Sequence, residues 1–202
     1  MDTNKNHWYD GLFYDFVIAP NQDKLFAKIR DLIKADSSLL DIGCGTGRMA
    51  FNLADKCSFI KAIDLSEKNI TLAKSRLSKN HSNIEFEHTN ALMLNNSVKY
   101  DYAVLTYVLH EMNSAERIEL LQSLFNVAKY VIIGEYLVPH PRNLYGFLDY
   151  IIEFLAGNDH FNNFKNFIAN GGAEALALKS GFRIKQKIVN KSGTSCLLLL
   201  EK

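Results

Sequence analysis

The chain has almost no charge imbalance: 23 basic residues stand against 22 acidic ones, a net of +1 over 202 residues. A partner made of nucleic acid or anionic lipid is met by a basic face, and nothing in the composition supplies one. Cysteine is scarce and unpatterned. Cys44, Cys57 and Cys196 lie far apart, with no CxxC and no Cys/His ligand spacing, so neither a metal site nor a disulfide framework is expected. Scattered thiols fit a reducing compartment. The opening MDTNKNHWYDGLFYD has no basic segment followed by an apolar one, so it does not read as a signal peptide. No apolar run approaches the roughly 20 residues of a membrane helix. A cytoplasmic protein without stable membrane insertion is expected. Repeats and low-complexity segments are absent too.

What is present is a core and a rhythm. Apolar residues make up 48% of the chain, enough for one full domain. Short apolar runs alternate with amphipathic stretches. Leu25, Phe26, Ile29, Leu32 and Ile33 form a helix face after an aromatic N-terminal arm. Strands are predicted at 38–42, 59–65, 83–89, 100–109 and 130–138, with helices between them. Asn113 with Glu116 resembles a capping box. Five such alternations point to a doubly wound α/β sheet. The whole of 1–202 reads as a single domain: an arm over 1–36, a core over 37–138, an insert over 139–165, and a closing helix with a strand pair over 166–202. In the insert, Leu148, Ile151, Ile152 and Leu155 fall at helical spacing. That stripe is read as a lid over an acceptor pocket, with a partner interface or a membrane contact as alternatives.

The chemistry gathers around LLDIGCGTGRMAFNLA, residues 39–54, where Gly43, Gly45 and Gly47 stand between a strand and a helix. Glycine permits positive φ and lets the backbone approach a ligand closely. Two nucleotide cofactors compete. A dinucleotide motif G-x-G-x-x-G needs its third glycine at 48, which is Arg48 here. Asp41, two residues before Gly43, does not favour a diphosphate but does favour a cation. S-adenosylmethionine carries a sulfonium and an ammonium. Asp64 ends the second strand, where a carboxylate can accept both ribose hydroxyls. Asn90 and Ala91 follow the third strand, at the height of an adenine edge. YDYAVLTYVLHEM brings Tyr107, His110 and Glu111 to the acceptor side.

DIGCGTG, the strand-end Asp64 in AIDLS, the Asn90–Ala91 pair and YDYAVLTYVLHEM together resemble the class I S-adenosylmethionine-dependent methyltransferases, of a small-molecule type similar to the quinone-biosynthesis group. The resemblance implies a Rossmann-like seven-stranded sheet with the last strand antiparallel. It implies S-adenosylmethionine as cofactor and S-adenosylhomocysteine as product. Asp41, Gly43, Cys44, Gly45 and Gly47 would surround the methionine part, Asp64 and Leu65 the ribose, and Asn90 and Ala91 the adenine, with Tyr107 beside them. Tyr9 and Tyr14 either fold over the sulfonium or pack as core aromatics. His110 is the general-base candidate if the acceptor is a hydroxyl, with a structural histidine as the other reading. Glu111, His140, Tyr145 and Tyr150 are further substrate-side candidates. The fourth strand lacks the nucleic-acid methylation signatures, so a small apolar or amphipathic acceptor is expected, taken by a monomer or homodimer. A non-catalytic protein on the same fold and a nicotinamide-dependent oxidoreductase are the rival functions.

Overall fold

The computed structural model describes residues 23–94 and 97–202. The expectations for Tyr9 and Tyr14 lie outside them. Seven strands form one sheet in the order β3-β2-β1-β4-β5-β7-β6. They are β1 (Ser37–Ile42), β2 (Cys57–Asp64), β3 (Ile84–His88), β4 (Tyr100–Thr106), β5 (Ala128–Tyr136), β6 (Arg183–Val189) and β7 (Ser195–Glu201). All neighbours run parallel except β7, which is antiparallel to both β5 and β6. This is the sheet the sequence predicts. Among the described residues the helices are α1 (Asp23–Leu32), α2 (Arg48–Leu53), α3 (Glu67–Ser75), α4 (Ser114–Val127), α5 (Leu144–Leu155), α6 (Asn158–Ala169) and α7 (Gly172–Lys179).

The strands at the centre are apolar on both faces because both faces are covered. One core gathers Ile29, Ile33, Met49, Leu53, Ile70 and Ala73 from α1–α3 against the sheet. The other gathers Leu121, Leu124, Phe164, Phe167, Leu176 and Ala177 from α4, α6 and α7. Helix starts follow their caps. Asn113 Oδ1 accepts from the amides of Ala115 and Glu116 at 3.1 and 3.0 Å, and Asn143 Oδ1 accepts from Gly146 N at 3.0 Å. Ser66 caps α3 in the same way.

Strand order reverses between β1 and β4, so their carboxyl ends part and leave a crevice there. Asp41 sits in register with Ala62 of β2 and Val104 of β4, at the floor of that crevice.

Two details differ from expectation. The fourth strand stops at Thr106. Tyr107 then takes φ 56°, and a 3-10 turn covers Leu109–Glu111. The apolar run through Leu109 is buried all the same, which is why periodicity could not locate the break. The insert forms two helices, and the second runs past 165. In α5 the apolar stripe is turned outward: Ile152 is 52% and Leu155 62% exposed, while Glu153 is buried. The stripe therefore does not line a pocket from above. The inward face of α5 is its polar one.

Candidate functional site

The loop after β1 is held by its own backbone. Gly43 N and Cys44 N both donate to Ile63 O, at 2.9 and 3.0 Å, and Gly47 N donates to Cys44 O at 3.0 Å. Gly43, Gly45 and Gly47 all have positive φ, at 69°, 55° and 85°. At Gly43 the demand is also steric, since a Cβ would stand 2.4 Å from Val108 Cγ2. Asp64 braces the loop: its Oδ2 accepts from Gly45 N and its Oδ1 from Ser66 N, both at 2.8 Å. The carboxylate is half-buried at the end of β2. Leu65, beside it, is half-buried, and its carbonyl lies 3.1 Å from His88 Nε2.

Asp41 is the anomaly of the site. It is 0% exposed, and among the described residues neither carboxylate oxygen has a hydrogen-bond partner. Burial, then the charge of Asp64, pushes its pKa up to about 8. A buried carboxyl without a partner is costly and needs a reason. A cationic ligand against the glycine loop supplies one, because it stabilises the charged form. The cationic end of S-adenosylmethionine fits this feature, and a diphosphate does not. Cys44 is buried, and its thiol pKa is raised well above the usual value by burial and by Asp41 and Asp64. It therefore contributes backbone rather than a nucleophile.

Asn90 and Ala91 stand at the next strand end, both half-buried. Asn90 Oδ1 accepts from Leu92 N at 2.9 Å and caps a short turn, Ala91–Met93. The amide nitrogen of that side chain is left to donate. Tyr107 holds its left-handed backbone through a bond from its N–H to Gly134 O at 2.9 Å. Burial pushes its phenol up to about 12, and its hydroxyl meets Ser195. Positive φ at a bulky residue beside a ligand crevice is the kind of strain that functional sites keep.

Beyond the end of β4 lies a buried ionic cluster. His110 is 3% exposed. Its Nδ1 lies 2.9 Å from Glu135 Oε2, and its Nε2 lies 3.6 Å from Glu153 Oε2. Glu135 Oε1 also accepts from Leu109 N at 2.8 Å. Glu153 Oε1 accepts from the Tyr136 hydroxyl at 2.5 Å, and its Oε2 stands 2.5 Å from His160 Nε2 in an ion-pair contact. Burial works against a charge on His110, yet Glu135 and Glu153 hold its pKa up at about 9. His110 is thus held between two carboxylates, which is the setting of the structural histidine named as the other reading.

Arg117, wholly buried, locks this turn to α6. Its Nε donates to Leu109 O at 2.7 Å and its guanidinium reaches Asn166 Oδ1 at 2.9 Å and Asn163 O at 2.6 Å. Glu111 is half-buried, and its carbonyl accepts from Asn163 Nδ2 at 2.8 Å.

His140 and Tyr150 do join this region. Their rings meet at 5.5 Å, and His140 Nε2 stands 3.4 Å from Asp149 Oδ2. Burial lowers the His140 pKa, and burial followed by the charge of Glu153 lifts Asp149 to about 7. Both rings line an open cleft of about 570 Å³ with Val138, Pro139 and Ile168. The glycine loop does not line that cleft. Tyr145 does not join them; it is 59% exposed.

Sequence reasoning missed Glu135, Tyr136 and Glu153. The signal was there: one carboxylate inside the apolar run YVIIGEYLV and another inside YGFLDYIIEFLAG. Acids in such runs are kept only when paired.

Residues 39–130 match the methyltransferase domain family. A stretch of 78 residues is 31% identical to the ubiquinone biosynthesis O-methyltransferase of Pelagibacter ubique, covering 39% of this chain and 32% of that one. The matched stretches span less than half the length of the curated relatives. Among solved structures, the PH0226 protein of Pyrococcus horikoshii is similar with a TM-score of 0.70 and 16% identity, over 96% of this chain and 93% of that one. The magnesium protoporphyrin IX methyltransferase of Synechocystis, solved with S-adenosylhomocysteine bound, gives 0.65 and 18%, over 99% and 91%. At such identities the structural likeness speaks for the fold, and the domain match speaks for the family. Together with the strand order and the DIGCGTG loop over a buried Asp41, the domain match over residues 39–130 supports a class I S-adenosylmethionine-dependent methyltransferase.

Proposed function

We propose that the protein transfers the methyl group of S-adenosylmethionine to a small apolar or amphipathic acceptor. The observation that carries this is Asp41, a fully buried carboxyl with no hydrogen-bond partner among the described residues, beneath a glycine loop, which suits a cationic cofactor. S-adenosylmethionine supplies an electrophilic methyl with a neutral thioether leaving group, so no acid is needed. Asp41 would balance the ammonium end. The loop Gly43–Gly47 would let backbone approach the methionine part, and Asp64 would take the ribose hydroxyls. Tyr107, fixed by its strained backbone, would hold the wall beside the sulfonium.

Alignment and exclusion of water then carry the rate, worth up to about 7–11 kcal/mol in favourable cases. Because Glu135 and Glu153 hold His110 from both sides, it is assigned to shaping the acceptor side and not to proton removal. The ubiquinone-pathway relative supports an apolar ring or lipid-like acceptor, as does the apolar outer face of α5. A cytoplasmic monomer or homodimer fits; among the described residues, no helix is long and apolar enough to cross a membrane.

Calorimetric titration with S-adenosylhomocysteine and with NAD tests the cofactor. Saturable binding of the first alone, weakened at least tenfold by Asp64→Ala, is expected. Binding of NAD in preference would overturn the reading in favour of an oxidoreductase, and binding of neither would favour a non-catalytic protein.

A further inference from the structure

The sequence suggests no metal ligands, because it offers no local Cys/His spacing. Folding brings some together. One donor atom from each of His110, Glu111 and His160 lies within 4.8 Å of the others. These residues are 50 positions apart along the chain, joined where the 3-10 turn after β4 packs on α6. Glu153 Oε2 stands in the same place, 3.6 Å from His110 Nε2 and 2.5 Å from His160 Nε2.

We propose that His110, His160 and Glu111, with Glu153 packed beside the two histidines, form a binding site for one divalent transition-metal ion. Two imidazole nitrogens and a carboxylate oxygen converging on one point are a ligand set such ions accept. The residues behind the ligands are arranged as in a built site. A metal-binding histidine is held by a second partner on its other nitrogen. Here Glu135 takes His110 Nδ1 at 2.9 Å, which turns Nε2 toward Glu153 and His160. The Tyr136 hydroxyl holds Glu153 Oε1 at 2.5 Å, which leaves Oε2 to the histidines.

Charge asks for the same occupant. Glu135 and Glu153 bring two buried carboxylates to the same pair of histidines. Arg117 adds its charge nearby but spends its hydrogen bonds on the carbonyls of Leu109, His110 and Asn163 and on Asn166. A divalent ion would satisfy both acids and displace the proton. Oxygen and nitrogen donors without thiolate suit zinc, cobalt, manganese or ferrous iron, with imidazole favouring the later metals. The inference rests on this cluster and not on methyl transfer, and it holds whether or not the acceptor meets the ion.

The test uses tag-free full-length protein, stripped with a chelator and titrated with Co²⁺. One equivalent is expected to bind, with visible ligand-field absorption and a raised melting temperature. Zn²⁺ should compete for the same equivalent. His160→Ala should weaken Co²⁺ binding at least a hundredfold, and Glu153→Gln at least tenfold. His81→Ala, at a half-buried histidine hydrogen-bonded to Ser78 and away from the cluster, should leave it unchanged. Wild-type protein with no saturable Co²⁺ absorption and no shift in melting would overturn the site and leave the cluster as an ion-pair network around a proton. So would a folded His160→Ala variant that binds as wild type does. The wild-type titration decides even if both variants fail to fold.

Discussion

Protonation of Asp41 should control cofactor affinity. Burial and Asp64 place its pKa at about 8 in the free protein, and a cationic ligand demands the carboxylate. Binding must therefore release a proton wherever the free protein is protonated. For a pKa of about 8, the ionised fraction rises from about 1% at pH 6 to about half at pH 8, so affinity should rise about 50-fold across that range. The same shift acts on stability with a definite sign. The folded carboxyl holds its proton more tightly than the unfolded one, whose ordinary value is 3.8. Folded stability from this group is therefore lost as pH rises from about 4 to about 8, with about 6 kcal/mol at stake across the window. The assay is calorimetric titration with S-adenosylhomocysteine at pH 6, 7 and 8 in two buffers of different ionisation enthalpy. Nearly one proton should be released at pH 6 and about half a proton at pH 8. Asp41→Asn should flatten the affinity profile and make the ligand-free protein less sensitive to pH. A flat wild-type profile without proton release would refute the assignment, and so would an Asn variant that kept the slope.

Three other substitutions probe the frame around the site. Gly43→Ala should abolish measurable cofactor binding and lower the melting temperature, because its Cβ would meet Val108 Cγ2 at 2.4 Å from a φ of 69°; thermal melts and calorimetry read it together. Arg117→Met should cost about 3 kcal/mol by leaving buried carbonyls of the turn and of α6 without their donor, seen as a lower denaturation midpoint. Ile152→Lys should change stability by no more than about 0.5 kcal/mol, since the side chain is 52% exposed, and wild-type melting of this variant is the check. If that outer face takes part in gathering an apolar acceptor, the same variant should raise the KM for the acceptor while leaving cofactor affinity unchanged.

Most of the frame was legible because it depends on local pattern. Strands buried on both faces read as apolar runs, and DIGCGTG needs glycine at three positive φ values. Asp41 and Asp64 could be placed because they stand at strand ends within the motif. Three things were not legible, each for a physical reason. The end of β4 at Thr106 lies inside an apolar run, and only the carbonyl of Gly134, on a neighbouring strand, receives the Tyr107 amide. The orientation of α5 was misjudged because its strongest period is apolar, yet Glu153 is drawn inward by His110, His160 and Tyr136. Tertiary ion pairing overrode the hydrophobic stripe. The role of His110 could not be read at all. Its neighbours Glu135 and Glu153 lie 25 and 43 positions away, and they decide its charge.

Methyl transfer itself is tested most directly by incubating the protein with methyl-labelled S-adenosylmethionine and cell extract, then separating organic-soluble, aqueous small-molecule and macromolecular products. Label in the organic fraction, lost with Asp64→Ala, is the expected result. Label confined to the aqueous or macromolecular fractions would contradict the apolar acceptor, and no transfer at all from protein shown to bind S-adenosylhomocysteine would contradict the catalytic role.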